Sequence, residues 1–115
     1  MTYIDGFVAA VPKANKDAYI RTARQAADMF LAWGATRVVE NWEDDVADGK
    51  VTDFRRAVAA KADEAIVFSW IEYPDKATRD AVQKKMMEDP EMGAMDMPFD
   101  MGRMIFGGFE TLLSV

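Results

Sequence analysis

Two apolar runs of this chain each end on a proline and each give way at once to a segment of different periodicity, and that repeated switch leaves few folds open. Tyr3 to Val11 reads Tyr-Ile-Asp-Gly-Phe-Val-Ala-Ala-Val and meets Pro12; Ala65 to Tyr73 reads Ala-Ile-Val-Phe-Ser-Trp-Ile-Glu-Tyr and meets Pro74. Both runs are rich in β-branched and aromatic residues, and proline cannot donate to a sheet ladder, so each reads as a buried strand with a defined stop. After the first, Tyr19, Ala23, Ala26, Phe30 and Trp33 recur in steps of four and three. That spacing predicts an amphipathic helix over 16–33, with Asn15 placed to cap it, Asp17 at the positive end of its dipole and Gly34 where a left-handed stop belongs. After the second run, Asp75 opens a helix to about Asp89, carrying Ala77, Ala81, Val82, Lys85 and Met86 on one face and closed by Pro90.

Each strand–helix unit adds a further strand. Residues 35–42, through Thr36, Val38, Val39 and Trp42, read as a half-exposed or edge strand, and residues 104–112, marked by Ile105, Phe106 and Phe109, as the last one. The order strand, helix, strand, strand, helix, strand occupies a single domain, 1–115. Two right-handed crossovers then give an α+β, ferredoxin-like βαββαβ fold: a four-stranded antiparallel sheet with the first and third strands central and both helices on one face. The connection from Glu43 to Ala62 is longer than an ordinary loop and holds an acidic cluster, an Asp48-Gly49 turn signal and the apolar Val51, Phe54, Ala57 and Val58, which suits a functional or interface excursion. The helix-free face of the sheet needs a cover, and a second copy of the chain supplies one, so a homodimer is expected. On their strands Phe7, Phe68 and Trp70 share alternation parity with Asp5 and Glu72; these five are assigned to the uncovered face, leaving Ile4, Val8, Val67 and Ile71 for the helices.

Composition narrows the chemistry. With 115 residues, half of them hydrophobic, the chain can bury about two thirds of its unfolded surface without staples. It has no cysteine and no histidine, which removes disulfides, thiolate nucleophiles, Ser-His-Asp and Cys-His arrangements, most transition-metal sites and a histidine-ligated haem. Proton transfer falls to Asp, Glu, Lys or Tyr. A formal charge of −6 argues against a nucleic-acid partner, since phosphate binding draws on clustered cations. The start, broken by Asp5 and Gly6, does not resemble a signal peptide, and no segment approaches the roughly 20 apolar residues of a membrane span. The expectation is a cytoplasmic protein with no membrane partner.

Candidate site residues cluster on the aromatic face. Asp5 and Glu110 lie on antiparallel first and last strands, and one register brings the carboxylates together as an acid/base pair; a slip of one residue separates them, and strand-end acids also serve solubility. Phe7, Phe68 and Trp70, rimmed by Glu72, can stack on a flat organic ligand or fill a closed dimer core. Arg103 can pair with an anionic ligand or with Glu110. Seven of the nine methionines fall between Met86 and Met104, a pattern open to a copper(I) thioether site but better suited, without Cys or His anchors, to gap filling. Asp44, Asp45 and Asp48 with Gly49 lack the EF-hand spacing and read as a solvated turn. Gly107-Gly108 lacks the context of a phosphate loop and marks a bulge or a close backbone approach. No catalytic residue, metal or cofactor is assigned.

The segments Tyr3-Ile-Asp-Gly-Phe-Val, Pro12-Lys13, Phe54 with Ala57-Val58, Phe68-Ser-Trp-Ile71, the Asp75–Asp89 helix, Pro98-Phe99 and Arg103-Met-Ile-Phe-Gly-Gly-Phe-Glu110 together resemble the bacterial YbaA-like family of uncharacterised small proteins, in order over nearly the whole chain. The resemblance implies a dimeric α/β barrel, in which two ferredoxin-like sheets face one another. That wider group includes cofactor-free monooxygenases of aromatic metabolites, haem-degrading enzymes and lactone isomerases, though the histidine of many haem-binding relatives has no counterpart here. Two functions follow as expectations. One is a small hydrophobic or aromatic metabolite bound within the dimer barrel, as in a cofactor-independent monooxygenase or isomerase; the other is a non-catalytic dimeric module whose barrel is filled by its own side chains.

Overall fold

Pro12 ends the first strand by turning the chain into a single 3-10 turn, Lys13–Asn15, which hangs on the neighbouring strand through the Lys13 N–H and the Asp63 carbonyl, 2.9 Å apart. From that point the computed structural model, which describes residues 2–115, follows the expected order. Strand β1 is Tyr3–Pro12, helix α1 Lys16–Trp33, β2 Arg37–Trp42, a one-turn α2 Phe54–Ala57, β3 Glu64–Tyr73, α3 Lys76–Glu88, a short α4 Pro90–Ala94, and β4 Ile105–Glu110 after a 3-10 turn at Met101–Arg103. The strands pair antiparallel in the order β2-β3-β1-β4, so the two apolar runs are central and α1 and α3 lie on one face.

Local chemistry sets the boundaries. Asp75 accepts the Thr78 N–H at 2.7 Å and starts α3. Gly34 ends α1 at φ +130°, and a β-carbon there would stand 3.0 Å from the Thr78 methyl, so glycine meets both the backbone demand and the close approach of α3. Asn15 does not cap α1; its side-chain amide instead donates to the Pro98 carbonyl at 3.0 Å, tying the helix start to the methionine-rich segment. Pro90 opens α4 as well as closing α3, with Asp89 accepting the Met92 N–H at 3.0 Å. Strand β2 begins two residues later than expected because the N–H of Ala35 is taken by Phe30.

Register decides what each face carries. Asp5 stands opposite Ile71 and Phe7 opposite Ser69, so Asp5, Phe7, Val11, Val67, Ile71 and Tyr73 lie under the helices. Val8, Ala10, Ile66, Phe68, Trp70 and Glu72 lie on the other side. The assignment of Asp5, Phe7, Phe68, Trp70 and Glu72 to one uncovered face is therefore corrected. Parity was right within each strand, but the pairing sends the two sets to opposite sides; Val67 and Ile71 do meet the helices, whereas Ile4 and Val8 do not.

The 43–62 excursion folds back over one end of the helix-free face. Glu43 Oε1 accepts from Arg55 at 2.9 Å and from the Ile66 N–H at 2.7 Å, and Asp53 caps α2. This seats Val58, fully buried, on Val8, Ala10 and Ile66. Phe54, Phe68, Ile105 and Phe109 remain exposed beyond it.

Arg103 locks this corner. Its guanidinium donates to both oxygens of Glu64, at 2.8 and 2.6 Å, to Asp100 at 2.9 Å and to the Ala59 carbonyl at 2.9 Å. The Glu64 side chain is only 4% exposed. Hydrogen bonding to Arg103, helped by the Lys61 N–H and opposed by burial, holds its carboxyl down at about 2. A depressed carboxyl stabilises the fold above its unfolded value of 4.5, and that contribution is lost as pH falls from there toward 2. In thermal melts across this window, the gap between wild type and Glu64→Gln is expected to close as the pH drops. At neutral pH, Arg103→Leu leaves a buried charge alone and should cost about 3–5 kcal/mol by denaturant unfolding.

Candidate functional site

Between the sheet and its helices the side chains do not close-pack. Helix α1 turns Tyr19, Thr22, Ala23, Ala26 and Phe30 toward the sheet, and its two alanines fill little of the space between them. The result is a cavity of about 570 Å³, within the range of small-molecule sites. Phe7 and Ile71 floor it, and Val82, Gln83, Met86 and Met87 of α3 stand on the far side. All seven methionines of 86–104 line it, together with Phe99 and Phe106. The methionine cluster noted in the sequence is thus one continuous wall.

Two polar constellations are set into this apolar lining. At the first, Asp5 Oδ1 accepts from Arg79 Nε at 2.9 Å and Oδ2 accepts from the Tyr73 hydroxyl at 2.9 Å, with the Gln83 amide against both Asp5 and Arg79. Arg79 also donates to Asp80 at 3.1 Å and lies 5.2 Å from the centre of the Tyr3 ring. Burial opposes its charge, but Asp80 and Asp5 outweigh that and raise its pKa further. Gly108 lies directly beneath: a β-carbon there would overlap the Tyr3 hydroxyl and Arg79 Nη2. Of the glycine pair only Gly108 is closely approached, and by the side chains of Tyr3 and Arg79 instead of by backbone.

At the second, Glu40 Oε1 accepts from the Tyr19 hydroxyl and from Ser69 Oγ, each at 2.6 Å. Ser69 is fully buried, and the Tyr19 ring is wedged between Trp42 and Phe99, with centroids 6.4 and 5.8 Å away. Burial, and then the charge of Glu40, push the Tyr19 phenol well above its ordinary range. Burial and Asp5 do the same to Tyr73. Both phenols therefore stay protonated at neutral pH, each with its proton directed at a carboxylate.

The candidate residues are dispersed by this arrangement. Asp5 and Phe7 line the cavity. Phe68, Trp70 and Glu72 lie behind it on the opposite face, where the Trp70 indole donates to Glu72 at 2.9 Å and Phe68 packs 5.7 Å from Phe54 and 5.8 Å from Trp70. Arg103 is taken up by Glu64, Asp100 and Ala59, not by Glu110. Glu110 pairs with Tyr3 at the exposed end of β4, and Asp5 is held by Arg79 and Tyr73 instead of joining it. Sequence reasoning passed over Glu40, Ser69, Tyr73, Arg79 and Gln83. A signal existed for part of this set: a carboxylate inside an apolar central strand needs a partner, and Arg79 and Gln83 sit one helical turn apart on the helix that crosses it.

Arg79→Met leaves the Asp5 carboxylate, 15% exposed, without its cation, and should destabilise the protein by about 3 kcal/mol in urea. Adding Asp5→Leu to that variant should restore most of the loss, since the double change removes both charges. Gly108→Ala should reproduce the single defect in milder form by pushing the guanidinium aside.

Residues 2–101 match the family model described as "Protein of unknown function (DUF1428)". The "Uncharacterized protein YbaA" of Escherichia coli strain K12 is 57% identical over 115 residues, covering 98% of both chains. The protein of the same name from Shigella flexneri matches equally well. Among solved structures, a "dimeric ferredoxin-like protein" from an uncultured marine organism aligns over 99% of this chain and 98% of its own with a TM-score of 0.59. At 13% identity that likeness is one of fold, and it agrees with the ferredoxin-like architecture read from the element order.

Proposed function

The chain belongs to the family described as "Protein of unknown function (DUF1428)", and we propose that it binds a small hydrophobic or aromatic metabolite in the methionine-walled cavity of each protomer, within a homodimer. The observation that carries this reading is the cavity itself. A volume of about 570 Å³ under two helices, with an apolar wall and hydrogen-bonding groups confined to two places, has the form of a ligand site and not of a packing defect. Methionine is unbranched and polarizable, so seven of them give a wall that reshapes around different apolar outlines. Where chemistry follows binding, proton transfer falls to the two carboxylate–phenol pairs, as a cofactor-independent isomerase or monooxygenase requires.

The dimer reading rests on the opposite face. Phe54, Phe68, Ile105 and Phe109 form an exposed apolar surface around Trp70, larger than scattered surface residues explain. The marine structural neighbour, of the same fold, is described as dimeric. No described helix is long and apolar enough to cross a membrane, and the same reading keeps the protein in the cytoplasm.

Native mass spectrometry on gently purified protein tests both halves. The expected species is twice the 12.9 kDa protomer carrying a small molecule. Ala26→Phe, which fills the cavity, should remain dimeric and lose the adduct; Phe68→Asp with Phe109→Asp should give monomers. A wild-type monomer would overturn the dimer, and an adduct retained by Ala26→Phe would overturn the site.

A further inference from the structure

The head group of the ligand is written in the balance of donors and acceptors around the cavity. The hydroxyl donors there are already committed, and the Gln83 amide lies against Asp5 and Arg79. Tyr73 and Arg79 donate to Asp5, Tyr19 donates to Glu40, and Thr22 Oγ1 donates to the Ala18 carbonyl at 2.9 Å. The two carboxylates are not equivalent. Asp5 is neutralised by Arg79 and has both oxygens occupied. Glu40 forms no ion pair among the described residues, and both of its hydrogen bonds, from Tyr19 and Ser69, fall on the same oxygen, Oε1. Its second oxygen accepts from no described residue. Glu40 lines the cavity from the exposed edge strand β2, where a ligand entering from solvent meets it.

We infer that the cavity selects an apolar molecule bearing a hydrogen-bond donor, and best of all a cationic amine, which Glu40 Oε2 receives, while apolar carboxylic acids are excluded. This rests on the cavity being a ligand site. A donor that reaches Oε2 completes a carboxylate whose other oxygen is held in place by a buried serine and a buried tyrosine, so the acceptor is oriented before the ligand arrives. An ammonium also supplies the countercharge that Glu40, exposed at the cavity edge, does not have within the chain. An anionic head group finds no free hydroxyl, and at the cavity edge it meets the like charge of Glu40.

Three naphthyl probes separate the possibilities: 1-naphthylmethylamine, cationic at pH 7; 1-naphthol, neutral; and 1-naphthoate, anionic. Titration calorimetry on the full-length protein should rank the amine first, the alcohol second and the acid last, with at least about a tenfold difference in Kd between the first and third. Glu40→Gln keeps an oxygen for Tyr19 and Ser69 but removes the charge, and should bring the three affinities within about threefold of one another by weakening the amine and admitting the acid. Ala26→Phe, or Ala23→Leu should the first variant melt early, should abolish binding of all three. Equal affinities that Glu40→Gln does not change, lost on filling the cavity, would overturn the head-group assignment and leave the cavity as a site. Naphthoate binding best would also overturn it. Failure of all three to bind the wild type, or binding undiminished in both filled variants, would overturn the cavity reading and this inference with it.

Discussion

The pairing of β1 on β3 is the constraint from which the rest of the structure follows. With Asp5 opposite Ile71 and Phe7 opposite Ser69, a carboxylate from the middle of an apolar strand is carried under the helices, where it cannot stay charged without a partner. Arg79 of α3 supplies that partner, and its guanidinium lies over Gly108 on β4, where a β-carbon would crowd it. One ion pair thus relates β1, α3 and β4, and the buried Tyr73 of β3 closes the set by donating to the same carboxylate. A slip of β3 by one residue would bring Phe68, Trp70 and Glu72 under the helices and take Tyr73 away from Asp5.

Protein interiors are normally filled, so an open volume beneath two helices needs a reason to persist. Here the reason is an unequal division between floor and wall. The floor is built from strands and from phenols whose protons are fixed on carboxylates, and these groups cannot shift without leaving a buried polar atom unpaired. The wall is methionine on one side and alanine on the other, side chains that either bend or fill little space. Rigid polar groups on regular elements beside an adaptable apolar surface are what recognition of one functional group on varied hydrocarbon bodies requires.

Element order, the central place of the two proline-terminated runs and the extent of α1 were legible because they depend on local periodicity and on backbone chemistry that proline and glycine impose. The site was less legible. Parity correctly grouped Phe68, Trp70 and Glu72, and separately Asp5 and Phe7, but the relation between the groups is set by inter-strand register, which no single strand encodes. Arg103 stands just before β4, which makes Glu110 at that strand's far end, or an anionic ligand, the partner a sequence suggests; its actual partner, Glu64, is distant in sequence and close only after β3 and the 59–61 turn are in place. Glu40 gave no sign of itself, since an acid on an edge strand looks like any solubilising residue until Tyr19 and Ser69 are seen converging on it.

Placing the cavity on the helix side changes what the proposed assembly is for. An aromatic pocket between two sheets would need both copies to exist, and its ligand would be bound only by the dimer. The observed cavity is lined by α1, α3, the methionine segment and the inner sheet face of one chain, so it is complete in a single protomer. Alternation lets the same strands meet both demands: Asp5 and Phe7 of β1 face the cavity while Val8 and Ala10 face the other way, and on β3 Ile71 and Tyr73 do so while Phe68 and Trp70 face outward. Covering the outer face therefore removes exposed aromatic surface from water without altering which residues meet a ligand. The two readings stand on opposite sides of one sheet, and evidence against either leaves the other intact.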